Sequence, residues 1–188
     1  TGPMLTGSFR GERVGACTDC RRFWANYRAE ELNDEDIEEV NNQLVPTVGT
    51  CGVMGTASTM AIITEALGLM VPNSACAPAV SADRKRIAEN TGKVAVKIAN
   101  ENLRPSSFLT KKNFLNALMV LSSIGGSTNG LVHLTAMAGR LGIKIDLGEF
   151  DNLTKNLPMI VDLKPSGSGY MEDLYKAGGS QRIFYELR

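Results

Sequence analysis

The segment from Gly49 to Met60 constrains this chain most, because it places one cysteine among small residues directly before an apolar helical stretch. The segment reads Gly-Thr-Cys-Gly-Val-Met-Gly-Thr-Ala-Ser-Thr-Met, and its thiol belongs to Cys51. Backbone N–H groups at a helix start and the positive end of the helix dipole stabilise a thiolate, which is the form that binds metals. The residues alone allow two interpretations of Cys51. It is either a metal or cluster ligand, or a buried structural thiol before a core helix.

The charge balance and the length limit the classes of protein that this sequence can represent. The 188 residues contain 20 Lys plus Arg and 20 Asp plus Glu, so no excess of basic charge indicates a nucleic-acid or membrane partner. The length is that of one domain with a real core. No apolar run approaches the roughly 20 residues that cross a bilayer. No charged leader precedes an apolar stretch at the N-terminus, so we expect no signal peptide.

Cysteine usage predicts a reducing compartment. The chain contains four cysteines, but it is too long and too rich in aliphatic residues to need a disulfide scaffold. We therefore expect reduced thiols and a cytoplasmic protein, or one in an organelle matrix if the source is eukaryotic.

Helical signals dominate the chain after residue 32. Asn33, Ser81 and Thr110 are predicted N-caps, and the acidic residues after Asn33 suit the first turn of a helix. The predicted helices cover about 34–43, 56–68, 82–102, 111–122, 127–141 and 147–155.

Three further predictions concern less regular segments. Residues 1–28 are predicted to be irregular and partly extended, and residues 159–163 are the best candidate for a strand. The helix over 82–102 is predicted to bury the stripe Ile87, Val94, Ala95 and Ile98.

Motifs in the same order along the whole chain resemble those of the dihydroxy-acid, phosphogluconate and sugar-acid dehydratase family. They are the Cys51 segment, Glu65–Gly68, Pro78–Ala79, Gly125–Asn129, His133–Leu134, Asp162–Gly167, Met171–Tyr175 and Ala177–Gly179. The form of the Cys51 segment looks closest to the sugar-acid branch. The resemblance implies an α/β fold, of which this chain is a helix-dominated piece. The whole would be an α/β/α domain with a parallel sheet, several strands of which lie upstream. Because family members are several-fold longer, residues 1–188 are expected to form one partial N-terminal domain without the C-terminal domain.

The resemblance also implies a chemistry. The family removes water from a 2,3-dihydroxy carboxylate to give a 2-keto-3-deoxy acid. An iron–sulfur cluster serves as Lewis acid, and Mg²⁺ holds the carboxylate and the 2-hydroxyl. Three cysteines hold the cluster in the family, and one lies in the Gly-Thr-Cys segment, so this role is carried over to Cys51. No Cys-Asp-Lys motif, which holds a second cysteine in the family, occurs here. We expect that motif, all Mg²⁺ ligands and the catalytic base outside this chain. The choice between [2Fe–2S] and [4Fe–4S] stays open.

Gly125–Asn129 is a second candidate site segment, because it joins two predicted helices through two glycines and three polar residues. N–H groups and hydroxyls at a helix start form a ready anion site, so Ser127, Thr128 and Asn129 are candidate contacts of the substrate carboxylate. The same residue types also cap ordinary helices after a tight turn.

Cys17-x-x-Cys20 forms a motif that suits a zinc site or a redox pair. Together with Cys51 and Cys76 it would supply four thiols. The alternative is two ordinary thiols on a partly exposed loop, because a single such motif is a weak signal. The pair does not belong to the family's pattern, so we predict that it is dispensable for dehydration.

Three functions follow from these observations. The first is an iron–sulfur hydro-lyase acting on an aldonic sugar acid, with the dihydroxy-acid dehydratase of branched-chain amino-acid biosynthesis as the alternative substrate class. The second is a zinc or redox module built on Cys17 and Cys20, and the third is a non-catalytic interaction domain. The first implies a small-molecule partner, neither nucleic acid nor membrane, and a homo-oligomer when full length.

Overall fold

The computed structural model describes residues 1–188, apart from the side chain of Ala16. More than half of the chain is helical, and two short strands form an antiparallel hairpin. The strands are β1 (Gly7–Phe9) and β2 (Glu12–Val14). The helices are α1 (Ala16–Arg28), α2 (Asp34–Leu44), α3 (Thr56–Ala66), α4 (Ala82–Asn100), α5 (Pro105–Phe108), α6 (Lys111–Ser123), α7 (Asn129–Arg140), α8 (Leu147–Thr154), α9 (Met171–Lys176) and α10 (Gly179–Glu186).

The hairpin, α1 and α2 form an N-terminal unit with its own apolar cluster. Arg10 and Gly11 occupy the two-residue turn with φ of 49° and 82°, the left-handed geometry that matches the twist of the flanking strands. Phe9 and Val14 then point inward and pack with Phe23 and with the buried face of α2. This packing fixes the start of the chain against α2, shortly before Cys51.

Most of the remaining helices form a larger body around α3 and α6, whereas α4 contributes no residue to its apolar clusters. One cluster joins α3, α6 and α7 through side chains such as Ile63, Phe114 and Leu134. A second joins the other face of α3 to α9 and α10 through Ile62, Met171 and other apolar residues. Helix α3 is therefore covered on two faces, which holds its N-terminal end in a fixed position.

The predicted helix starts are confirmed. Asn33 accepts a hydrogen bond from the Asp36 N–H in a capping box, and Ser81 Oγ accepts one from the Arg84 N–H. Thr110 and Asn113 form another capping box at α6. Local side-chain chemistry therefore determines these boundaries.

The prediction of an irregular, partly extended segment over residues 1–28 is confirmed in its extended part by β1 and β2 and is wrong for Ala16–Arg28, which forms α1. The predicted strand over residues 159–163 is also wrong. Among the residues that the structure describes, no neighbouring strand supplies a ladder there. The Ile160 N–H instead donates to the Ser123 carbonyl at 2.8 Å, and Leu163 makes only an isolated bridge with Gly169.

The predicted buried stripe on α4 is wrong as well. Ile87 and Val94 are half-buried, whereas Ala95 and Ile98 are exposed. The stripe lines an open groove of about 710 Å³, because the described part of the chain places no element over it.

The helix-dominated fold is confirmed. The described residues contain one sheet, the antiparallel hairpin. The parallel sheet implied by the family resemblance stays a prediction about residues outside this chain.

Candidate functional site

Cys51 lies at the junction between the N-terminal unit and the helical body. Just before it, the Thr50 N–H donates to the Gly2 carbonyl at 2.8 Å, and the Met4 N–H donates to the Thr50 carbonyl at 2.9 Å. This approach is possible because Gly49 has a φ of +144°, and a Cβ there would lie 2.5 Å from the Met4 nitrogen. The backbone on the N-terminal side of Cys51 is therefore tied to the start of the chain.

The backbone on the other side of Cys51 is tied to a distant segment. The Met54 N–H donates to the Lys164 carbonyl at 2.9 Å, and the Met171 N–H donates to the Gly52 carbonyl at 2.8 Å. Gly52 and Met54 are buried, whereas Cys51 is only half-buried. Cys51 is thus held from both sides and keeps part of its surface accessible to a ligand.

A cluster of hydroxyl and amide groups lies at the start of α3. The Thr56 and Ser127 hydroxyl oxygens are 2.9 Å apart, and Asn129 Nδ2 donates to Thr56 Oγ1 at 3.0 Å. The Ser127 N–H donates to the buried Thr59 Oγ1 at 3.0 Å. The structure therefore joins the two candidate segments, since the hydroxyls of the Cys51 segment bond to residues of Gly125–Asn129.

Two glycines allow this close approach. A Cβ at Gly126 would lie 2.9 Å from Thr59 Cγ2, and one at Gly130 would lie 3.3 Å from the same atom. Both would also lie less than 3 Å from Leu121 Cδ1. Their lack of side chains lets the first turn of α7 lie against α3, so that the N-terminal ends of these two helices meet.

The predicted substrate contacts occupy different positions in this arrangement. Ser127 and Asn129 join the hydroxyl cluster, whereas Thr128 is the N-cap of α7, is exposed and makes no side-chain capping bond. Their role as substrate contacts stays a prediction. Thr56 and Thr59 were not predicted as site residues, although their hydroxyls stand in the motif Thr-Ala-Ser-Thr directly after Cys51.

Cys17 and Cys20 lie on α1 and not on the predicted loop. Cys17 is exposed, and Cys20 is half-buried against the apolar cluster of the N-terminal unit. Across the residues that the structure describes, no three His, Cys, Asp or Glu side chains converge as a metal-binding group would require. The four thiols therefore do not assemble into one site.

Cys76 differs from the other thiols because it is fully buried. Burial, together with the negative charge of Glu65, raises the pKa of Cys76 to about 12. This side chain stays a neutral thiol at physiological pH and does not have the character of a metal ligand.

The surroundings of Cys51 fit one ligand of an iron–sulfur cluster. The thiol is partly accessible, its backbone is fixed on both sides, and a Cβ added at the nearby Gly55 would meet no atom within 4 Å. Because no group of three His, Cys, Asp or Glu side chains converges within the described residues, a cluster held by Cys51 would need further ligands from outside them.

Within the described part of the chain, no helix combines the length and the apolar character that crossing a bilayer requires.

Comparison with known proteins places this geometry in context. Residues 1–188 match the family model described as dihydroxy-acid/6-phosphogluconate dehydratase N-terminal. An L-arabinonate dehydratase of Rhizobium leguminosarum bv. trifolii is 43% identical over 186 residues, which are 99% of this chain and 32% of the relative. A dihydroxy-acid dehydratase of Thermodesulfovibrio yellowstonii is 38% identical over 187 residues, which are 100% of this chain and 34% of the relative. A 6-deoxy-6-sulfo-D-gluconate dehydratase of Pseudomonas putida is 34% identical over 186 residues, which are 99% of this chain and 32% of the relative. The chain spans about a third of the length of these curated relatives.

Proposed function

Since the chain belongs to the dihydroxy-acid/6-phosphogluconate dehydratase family, we propose that the complete protein is a hydro-lyase that converts an aldonic sugar acid to its 2-keto-3-deoxy acid. In this proposal Cys51 is one ligand of an iron–sulfur cluster, and Mg²⁺ is a second cofactor, held by residues outside this chain. The observation that carries the proposal is the half-buried Cys51, whose flanking backbone is fixed on both sides and whose segment bonds to Ser127 and Asn129 through the Thr56 hydroxyl.

The residues of this chain would bind and orient rather than transfer protons. When bound, the cluster supplies a Lewis-acidic iron that polarises the departing 3-hydroxyl. Cys51 would hold one iron through its thiolate. Ser127 and Asn129 lie where the starts of α3 and α7 meet, and their polar groups suit the carboxylate or a hydroxyl of a sugar acid.

In this proposal the proton at C2 is removed by a base outside this chain, as the family resemblance implies. Asp19 and Tyr170 do not serve as that base, since they are only 2% and 3% exposed. Proton abstraction is therefore assigned to the remaining part of the polypeptide, which would also complete the cluster and the Mg²⁺ site.

The preference for a sugar acid rests on the form of the Cys51 segment. Relatives named for a sugar acid and for dihydroxy acids match this chain over 186 and 187 residues, at 43% and 38% identity. Both substrate classes share the carboxylate, the 2-hydroxyl and the 3-hydroxyl, and they differ beyond C3. There a sugar acid has hydroxyls and dihydroxy-isovalerate has methyls. The dihydroxy-acid reaction is therefore the second candidate.

The experiment uses the complete polypeptide, purified without oxygen and supplied with Mg²⁺. Iron and sulfide are quantified, and kcat/KM is measured for arabinonate, xylonate, gluconate and 2,3-dihydroxy-isovalerate. We expect iron and sulfide together with a preference for one aldonate, which can reach ~10⁴-fold where a site bonds the substrate hydroxyls. A preference for dihydroxy-isovalerate would overturn the substrate assignment. Turnover of none of the four, with iron, sulfide and Mg²⁺ present, would contradict the hydro-lyase itself.

The family resemblance also supports a cytoplasmic homo-oligomer as part of the proposal. Light scattering on the complete polypeptide tests the assembly, and a monomer at working concentration would contradict it.

A further inference from the structure

A buried ionic cluster joins α1 to the segment over residues 164–171. Lys164 Nζ donates to the two carboxylate oxygens of Asp19 at 2.9 and 3.1 Å and to the Tyr170 hydroxyl at 2.7 Å. The Tyr170 hydroxyl in turn donates to Asp19 Oδ2 at 2.8 Å. The Gly15 N–H also donates to Asp19 Oδ2, at 2.9 Å. The bonds between Lys164 and Asp19 connect residues that are 145 positions apart in the chain.

The cluster is charged and mostly removed from water. The Asp19 side chain is 3% exposed and that of Lys164 is 19% exposed. Burial disfavours ionisation of Asp19, but hydrogen bonds from Lys164, Tyr170 and Gly15 outweigh it and hold the pKa of Asp19 below its usual range. Burial likewise opposes the charge on Lys164, and its bonds to Tyr170 and Asp19 still raise its pKa. The pair is therefore ionised throughout the neutral range. Arg22 also approaches Asp19 Oδ1, at 3.3 Å, but its side chain is 41% exposed, so loss of Lys164 leaves the buried Asp19 carboxylate with a weaker, solvent-exposed partner.

The backbone of the same segment holds the residues that follow Cys51. The Lys164 carbonyl accepts the Met54 N–H, and the Met171 N–H donates to the Gly52 carbonyl. Lys164 thus bonds Asp19 through its side chain and Met54, in the loop that follows Cys51, through its backbone carbonyl. Lys164 therefore connects α1 directly to the loop that follows Cys51.

We propose that Asp19 and Lys164 are positioning residues that hold the Gly52–Met54 backbone and thereby set the position and accessibility of the Cys51 thiol. Tyr170 completes the pair by bonding to both partners. The effect on Cys51 itself follows from this chain's contacts, and only the consequence for a cluster rests on the proposed function.

The test measures the alkylation rate of each cysteine by peptide mass spectrometry, in the complete polypeptide freed of metal by chelation. Lys164→Met removes the charge and the donors at similar length. We expect Cys51 to be labelled about 10-fold faster or more, because breaking a buried ion pair favours local opening of the segment that it holds. Cys17 provides an exposed reference, and the fully buried Cys76 reports general unfolding.

Lys111→Met is the matched control. It removes the same residue type from another ion pair between helices, the 2.6 Å contact of Lys111 with Glu149, which is 40–49% exposed. We expect unchanged labelling of Cys51 in this variant, since exposed pairs stabilise little. Tyr170→Phe provides a milder second variant that keeps both charges, and we expect it to accelerate Cys51 labelling by roughly threefold to tenfold.

Two results would overturn the proposal. One is a Cys51 labelling rate within about twofold of wild type in both Lys164→Met and Tyr170→Phe, since opening would then not depend on the cluster. The other is a parallel rise of Cys51 and Cys76 labelling in both variants, which would make the cluster a support of the whole fold. A complete polypeptide that binds neither iron nor sulfide would contradict the proposed function, whereas the labelling result would stand. Where the cluster is present, altered g-values of its reduced form in Tyr170→Phe are expected as well.

Discussion

The loops at the two ends of α3 each contain one cysteine, and they place it in opposite surroundings. Cys51 precedes the helix, is half-buried and is bracketed by backbone hydrogen bonds to residues 2–4 and to the 164–171 segment. Cys76 follows the helix, is fully buried and lies near the charge of Glu65. Glu65 accepts hydrogen bonds from the Asn73 and Ala75 N–H groups and from Gln181, so its charge is fixed beside the second loop.

The comparison of the two loops shows that a fixed backbone can either bury a thiol or keep it accessible. The loop with Cys76 uses its bonds to Glu65 to complete a core, and the thiol acts there as a small apolar side chain. The loop with Cys51 also has neighbours fixed by backbone hydrogen bonds, but it leaves the thiol half-buried. Accessibility combined with a fixed backbone, rather than the presence of a cysteine, is what distinguishes a candidate ligand.

The largest effect is expected for replacement of the thiol at the accessible end. In the complete polypeptide, Cys51→Ser should abolish the visible iron–sulfur absorption and the dehydratase activity, because a hydroxyl does not replace a thiolate as a cluster ligand. Absorption spectra, iron content and turnover measure this.

Cys76→Ala is the matched variant at the other end of α3. It should cost only about 1 kcal/mol of stability, for the volume lost from the core, and leave the cluster in place. Retention of cluster and activity in Cys51→Ser, or loss of the cluster in Cys76→Ala without unfolding, would reverse the distinction between the two loops.

The sequence predicted the features that depend on local chemistry. The caps at Asn33, Ser81 and Thr110 were correct because each bond joins residues three positions apart. The signal for α1 was also present and was missed. Cys20, Phe23, Trp24 and Tyr27 follow helical spacing, and they line the side of α1 that packs in the N-terminal unit.

Features that depend on distant partners were not predictable in the same way. The apolar stripe of α4 and the run over residues 159–163 both have the right local pattern, but the elements that would cover or pair with them are absent from the described residues. The candidate site shows the same difference between local patterns and distant contacts. The cysteine and the Ser-Thr-Asn motif were found separately, whereas the bond between Thr56 and Ser127 spans 71 positions.

A smaller effect is expected in the pH dependence of stability at the buried end of α3. The pKa of Cys76 is raised to about 12 from an ordinary value of 9.0, so its contribution to stability is complete below about pH 9. As pH rises from there towards 12, the unfolded thiol releases its proton while the folded one keeps it. Stability should therefore fall by up to about 1.4 kcal/mol per pH unit from this residue alone.

Cys76→Ala separates the contribution of the Cys76 thiol from those of the tyrosines and lysines that titrate in the same pH range. Thermal unfolding of the metal-free protein at several pH values above 8 should show a steeper alkaline decline in wild type than in the variant. Equal declines would mean that the Cys76 thiol ionises as easily in the folded protein as in the unfolded one. Burial would then not keep this thiol neutral.

The smallest effect is expected for the two cysteines of α1. Exposure alone would make Cys17 a better ligand than Cys51, since Cys17 is exposed and Cys51 is half-buried. Cys17 lies in the first turn of α1, and among the described residues it belongs to no group of three metal-binding side chains. Cys20 packs against the apolar cluster of the N-terminal unit. The double variant Cys17→Ser and Cys20→Ser should keep its iron, sulfide and kcat/KM and lose no more than about 1 kcal/mol of stability. A loss of iron with the fold intact would show that the pair takes part in cofactor binding. Accessibility of a thiol would then be sufficient for cofactor binding, without a fixed backbone like the one around Cys51.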